Sequence, residues 1–124
     1  MGTLVVLHDG LSRTILFFTV ICALWGFWRY IRGEGIRGDF WGALWILEGV
    51  ILLQGFLGLA MVLMRLWPAR GGVHFLYGIV LALALPLVYA YTRGRDGRRE
   101  QLLYSIALAV MVGLALRAIA TGGG

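Results

Sequence analysis

Four long apolar segments, separated by short clusters of charged and glycine residues, organise the chain. Each approaches or exceeds the length of about 20 residues that a helix needs to cross a bilayer. The charged residues stand between these segments and do not form the polar face that a soluble helix requires. The pattern predicts an all-α fold with transmembrane helices at about residues 5–30, 40–66, 73–92 and 101–119.

The connections between the segments are short, which favours antiparallel neighbours. We therefore expect one integral membrane four-helix bundle of up-down-up-down order over residues 1–124, with the first and third helices on a diagonal. The first segment has no positively charged leader, and its aromatic end at residues 25–30 is typical of an interfacial anchor. We interpret it as a span and not as a signal peptide, and we expect Asp39 to cap the second helix.

Composition excludes a soluble globular domain. Hydrophobic residues make up 60% of the chain even before its 19 glycines are counted, and charged residues make up only 14%. Soluble domains contain about 45–50% apolar residues with glycine included. The single cysteine, Cys22, lies inside the first apolar segment, so the sequence offers neither an internal disulfide nor a cysteine-based metal site.

The formal charge of +5 comes from 11 arginines, most of them beside the apolar segments, which favours anionic lipid over nucleic acid as the partner. The first and third connections have the larger share, so the positive-inside rule predicts that residues 31–39 and 93–100 are cytoplasmic and that both termini lie outside the plasma (inner) membrane. The first group is Arg29, Arg32, Arg37, Arg93, Arg95, Arg98 and Arg99, and the opposite group is Arg13, Arg65, Arg70 and Arg117.

The two histidines, His8 and His74, are predicted at the same depth near the outer ends of the first and third helices. Imidazole is a common axial ligand of haem iron, and a diagonal pair of histidines is a reasonable way to hold one haem in a bundle. Gly78 lies one turn below His74 and leaves room for a flat ring. The other interpretation is that both histidines are interfacial and bind headgroups, water or the Asp9 carboxylate.

Haem propionates need cationic partners near the outer surface. The arginines predicted at that level are Arg13, Arg70 and Arg117. Together with His8, His74 and Gly78 they form the expected cofactor-binding set, with the two histidines as ligands of the haem iron.

Glu48 is the candidate for catalytic chemistry, since it is predicted about 12 Å inside the second span at 1.5 Å per residue. An intramembrane carboxyl group is costly and is a candidate for proton transfer or for binding a polar substrate group. The other interpretation is a protonated side chain that forms a hydrogen bond to a neighbouring helix. Gln54, six positions later, is expected on a different face of the helix.

The run Gln54-Gly-Phe-Leu-Gly, a turn with Pro68, and His74 at the start of the third helix form a short motif in the central part of the chain. This motif resembles one half of the haem A synthase family, whose members have two fused four-helix bundles, each with a histidine pair for haem. The resemblance implies a single bundle that holds haem b, with His74 as the better matched ligand. It implies His8 as the other ligand, with Arg13 in place of the family's adjacent arginine.

We therefore expect a small integral membrane protein that binds haem b and acts in electron transfer or in oxidase or haem assembly. One alternative is a non-catalytic accessory subunit that packs on a larger respiratory or photosynthetic membrane complex. Another is a small transporter or a quinone site around Glu48. The expected partners are the lipid bilayer and either a larger membrane complex or a second copy of the chain in a homodimer. The resemblance does not imply haem A synthesis, because that chemistry in the family relies on two bundles.

Overall fold

The computed structural model describes residues 2–65 and 71–121, and all regular structure within them is helical. Each of the four helices is long and apolar enough to cross a membrane. The predicted all-α, up-down-up-down four-helix bundle is confirmed. The helices are α1 (Gly2–Ile31), α2 (Gly38–Leu63), α3 (Gly71–Thr92) and α4 (Arg98–Thr121).

The helices are arranged around a square, in which each packs on its two neighbours in the ring. The contact between α1 and α4 is the most extensive, and the contact between α2 and α3 is the least extensive. Helices α1 and α3 therefore face each other across a diagonal, as the short connections predicted. We call this least extensive contact, between α2 and α3, the α2–α3 seam.

One half of the bundle, which we call the closed half, lies next to the loops that follow α1 and α3. Its interior is filled by large side chains, and those of Phe40, Leu47 and Tyr104 are almost completely buried. Trp41 contacts Tyr89 and Tyr104 edge to face, with ring centroids 6.0 and 5.5 Å apart. These aromatic contacts join α2, α3 and α4 at this end of the bundle.

Arg29 forms hydrogen bonds to both the first loop and the start of α2. Its guanidinium Nη1 donates to Asp39 Oδ1 at 3.1 Å, and its Nη2 donates to the carbonyl oxygen of Gly35 at 3.3 Å. The expectation that Asp39 is the N-cap of α2 is wrong, because Arg37 occupies that position and Asp39 is the second helical residue. Asp39 instead pairs with Arg29 and accepts the backbone N–H of Phe40 at 2.7 Å.

The two loops of the closed half touch each other through their backbones. The N–H of Ile36 donates to the carbonyl oxygen of Asp96 at 2.8 Å. A Cβ atom at Gly35 would collide with that same carbonyl and would lie 3.1 Å from the carbonyl carbon of Gly97. Glycine is therefore required where the loops cross.

The other half of the bundle holds both histidines, and we call it the histidine half. Fewer of its side chains are buried than in the closed half, and the buried ones include Ile15, Met111 and Ala115. A large cavity occupies the space between the helices here. Protein interiors are normally packed with few voids larger than a water molecule, so a cavity of this size is unusual.

Candidate functional site

The structure brings together the two histidines that lie far apart in the sequence. His8 on α1 and His74 on α3 are both half-buried, and their ring centroids are 6.1 Å apart with an angle of 52° between the ring planes. Two imidazole nitrogens each bonded at about 2 Å to one metal ion place their ring centroids about 6 Å apart, since each nitrogen lies about 1 Å from its centroid. The observed separation of the centroids equals that length.

A hydrogen bond to α4 orients His74. Its Nδ1 lies 2.9 Å from the carbonyl oxygen of Ala118 and 3.4 Å from the hydroxyl oxygen of Thr121. A carbonyl oxygen only accepts hydrogen bonds, so Nδ1 carries the proton and Nε2 keeps its lone pair. This arrangement, in which one ring nitrogen donates to a carbonyl and the other is available to a metal, is the usual one for metal-binding histidines.

Polar side chains hold the backbone of α1 around His8 against α2. Gln54 Nε2 donates to the carbonyl oxygen of His8 at 2.8 Å and to Ser12 Oγ at 2.7 Å. The Ser12 hydroxyl donates to the same His8 carbonyl at 2.9 Å. Gly58 lies opposite the His8 ring, and a Cβ atom there would lie 3.5 Å from Nε2. Gln54 thus holds the His8 backbone in place, and Gly58 leaves space beside the His8 ring.

A cavity of about 550 Å³ surrounds the two rings and is lined by all four helices. Because the histidines stand on the α1–α3 diagonal, a flat ligand between them has its edges towards α2 and α4. The cavity walls on those helices include the small residues Gly55 and Gly58 of α2 and Ala115 and Ala118 of α4. The volume lies within the range of about 300–1,000 Å³ that ligand pockets occupy.

The walls of the cavity are mainly apolar, with few polar atoms apart from the two histidines. Gly78 of α3 lines the cavity, as expected for the residue one turn below His74. The Oε1 atom of Gln54 is buried and has no hydrogen-bond partner among the described residues. An apolar cavity with a pair of imidazoles and one free amide oxygen suits a large flat metal complex such as haem.

Two of the arginines expected to pair with propionates, Arg13 and Arg117, do not line this cavity. Arg13 is exposed on α1, and the exposed Arg117 of α4 lies with its guanidinium carbon 5.9 Å from the ring centroid of Tyr77. Arg117 directly precedes Ala118, a residue of the cavity wall. Arg70, and Pro68 of the resembling motif, lie outside the described residues.

The interfacial interpretation of the histidines assigned the Asp9 carboxylate as one possible partner. Asp9 is exposed, and the part of the chain that the structure describes contains no hydrogen bond between it and the His8 ring. The His8 and His74 rings instead lie 6.1 Å apart, centroid to centroid, and line the same cavity.

Glu48 does not belong to the histidine cavity. It lines a second, smaller cavity between α2, α3 and α4, whereas Gln54 faces α1 and the histidines. The two polar residues of α2 therefore lie on different faces, as their spacing predicted. Residues 2–65 and 71–121 hold no cluster of three or more histidine, cysteine or carboxylate side chains able to bind a metal ion.

Comparisons of the chain with protein-family models, with curated proteins and with solved structures return no match. The resemblance to half of a haem A synthase therefore stays a prediction that rests on Gln54, Pro68 and His74.

The sequence contains no signal for several residues of this site. Ala118 acts through its backbone carbonyl, which any residue type would offer, and Gly58 is one of several glycines on α2. Gln54 carried a signal as a polar residue in an apolar segment, but its partners on α1 depend on how the helices rotate about their axes.

Proposed function

We propose that this protein binds one haem b between His8 and His74 and uses it to pass single electrons at the membrane. The observation that carries the proposal is the 6.1 Å separation of the two imidazole rings inside a cavity of about 550 Å³. The hydrogen bond from His74 Nδ1 to the Ala118 carbonyl supports it, because this bond leaves Nε2 free for iron.

The residues of the site would have separate tasks. His74 and His8 would hold the haem iron, with the His74 ring positioned by the Ala118 carbonyl and the His8 backbone by Gln54. The apolar walls would exclude water, which is one way in which proteins tune a haem potential. Bound haem supplies a one-electron change between ferric and ferrous iron. With both histidines holding the iron, electron transfer would be favoured over oxygen activation.

The site would lie near the outer surface of the plasma membrane. This part of the proposal rests on the arginines of the loops after α1 and α3, which favour a cytoplasmic location of the closed half. Both chain ends would then face outward. A role beside an oxidase or in haem assembly follows from the resemblance to haem A synthases and is part of the same proposal.

A visible spectrum of protein purified from haem-replete cells tests the function. We expect a Soret band and a six-coordinate b-type reduced-minus-oxidised spectrum, with one haem per chain. His74→Ala and His8→Ala should each lower the haem content at least ten-fold or leave a five-coordinate spectrum, while far-ultraviolet circular dichroism stays helical. Asp9→Ala is the matched control next to His8, and it should keep the wild-type spectrum.

The proposal fails if the wild-type protein shows no Soret band despite adequate haem supply. It also fails if the band survives in the double variant His8→Ala with His74→Ala, since haem would then be held elsewhere.

A further inference from the structure

A second cavity, of about 210 Å³, lies in the seam between α2 and α3 and is bounded at the back by Tyr104 of α4. We call it the Glu48 cavity. It is separate from the histidine cavity and plays no part in the function proposed above. Trp41, Tyr89 and Tyr104 belong to its lining, and the Trp41 ring contacts the other two rings edge to face.

The lining of this cavity includes two buried polar groups, the Glu48 carboxyl and the Tyr104 hydroxyl. Glu48 Oε1 is buried and accepts no hydrogen bond from any described residue. A buried polar atom left unpaired costs free energy, and a carboxyl inside a membrane span marks a functional site by default. A ligand that brings a hydroxyl donor into the cavity would satisfy this oxygen.

The volume and the lining of the cavity suit a ligand with one six-membered ring. An apolar protein cavity of about 150 Å³ holds benzene, so the volume of 210 Å³ holds one six-membered ring with small substituents. Trp41, Trp45 and Tyr89 offer aromatic surfaces for edge-to-face or offset stacking with such a ring. The volume is too small for a lipid headgroup with its glycerol or for a peptide segment.

The cavity opens sideways to the membrane. Trp45 is 70% exposed and Tyr89 is 49% exposed, and both belong to helices long and apolar enough to span the bilayer. Their exposed surfaces therefore contact lipid, and a ligand reaches Glu48 from the hydrocarbon phase. A hydrocarbon tail on the ring would stay between lipid chains while the ring enters the seam.

We infer that the Glu48 cavity binds the ring of a membrane quinol, with Glu48 accepting a hydrogen bond from a ring hydroxyl. A quinol combines a substituted ring, a hydroxyl donor and solubility in the bilayer, which are the three properties that a ligand of this cavity needs. Leu85, which lines the Glu48 cavity, is one helical turn from Leu81, which lines the histidine cavity. The bound ring would thus lie close to the histidine site.

Duroquinol, a tetramethylated benzene ring with two hydroxyls, is the probe for this site. We expect it to bind the wild-type protein in neutral-lipid nanodiscs, measured anaerobically by titration calorimetry with empty nanodiscs subtracted. Glu48→Leu removes the acceptor and should weaken binding about ten-fold, as expected for the loss of one buried hydrogen bond. Glu48→Gln keeps an acceptor oxygen and should stay within about three-fold of the wild type.

The dimethyl ether of duroquinol is the ligand control, because it has the same ring and no hydroxyl donor. It should bind the wild type no better than duroquinol binds Glu48→Leu. Equal affinity of duroquinol for the wild type and for a helical Glu48→Leu, equal affinity for the quinol and its ether, or no binding to the wild type would each overturn the inference. The Soret band of Glu48→Leu should be unchanged, so loss of haem and loss of quinol binding are separate results.

Discussion

The closed half and the histidine half are built from the same four helices and differ in what fills the space between them. In the closed half, Phe40 and Tyr104 fill the interior and Gly26 brings α1 close to α4. In the histidine half, a cavity of about 550 Å³ remains around His8 and His74. A cavity forfeits the dispersion contacts of its walls, so this half contributes less packing energy. The closed half is thus the more tightly packed of the two, and the larger cavity lies in the histidine half.

Haem loading should change the histidine half far more than the closed half, which is the largest effect we expect. A ligand that fills the cavity stabilises the surrounding helices by mass action, by about 2.7 kcal/mol at 100 times its Kd. Hydrogen exchange measured by mass spectrometry should slow at least ten-fold around His8, His74 and Ala118 and less than two-fold around Phe40. Uniform slowing in both halves, or the same slowing in His74→Ala, would contradict the division.

The loop crossing of the closed half gives the next largest effect. Gly35→Ala places a Cβ atom against the backbone carbonyl of Asp96, which cannot move aside as a side chain can. We expect a loss of about 2–3 kcal/mol in the free energy of unfolding, the upper part of the range for overpacking. The measurement is unfolding in mixed micelles followed by circular dichroism.

Gly38→Ala is the matched control for the loop crossing, since a Cβ atom there meets nothing within 4 Å. It should change the free energy of unfolding by less than about 0.5 kcal/mol. An equal loss in both variants would show that the two loops do not depend on their close contact.

The same glycine-to-alanine change should have opposite signs in the two halves. At Gly26 a Cβ atom would lie 2.5 Å from Ser105 Oγ and 3.1 Å from the ring of Phe40, so Gly26→Ala should destabilise the haem-free protein by about 1–2 kcal/mol. At Gly58 the nearest atom is His8 Nε2 at 3.5 Å, an ordinary contact. Gly58→Ala should therefore stabilise by up to about 1 kcal/mol through helix propensity. Equal losses in the free energy of unfolding for both variants would show that the two halves do not differ in packing.

The smallest effect we expect belongs to the polar contact that holds α1 in the histidine half. Gln54→Leu removes the hydrogen bonds to the His8 carbonyl and to Ser12 Oγ. Interhelical hydrogen bonds in membranes average about 0.6 kcal/mol, and the coupling between Gln54→Leu and Ser12→Ala in a double-mutant cycle should be near that value. Additive losses would show that the two side chains do not act together.

The sequence predicted the parts of the site that depend on length along the helices. The depths of His8 and His74 follow from their positions near matching helix ends, and the diagonal follows from the short connections. It did not predict the pairing of Gln54 with α1, the support of His74 by the Ala118 carbonyl, or the cavity at Glu48. These depend on the rotation of each helix about its axis.

The start of α2 shows the same limit in a loop. Asp39 has the residue type of an N-cap, but the N-cap of α2 is Arg37, two residues earlier, and the Asp39 carboxylate pairs with Arg29. The ion pair crosses from α1 to α2, so local helix-start signals do not contain it.

By itself the sequence determined the number of spans, their order and their approximate ends, because the thickness of the bilayer requires about 20 consecutive apolar residues and charges collect outside it. Only the tertiary structure decided which face of each helix turns inward. In a bilayer the lipid is as apolar as leucine, so burial leaves little pattern along a spanning helix. Close packing of small residues and a few polar contacts, such as those of Gln54 and His74, select the rotation that brings the two histidines together.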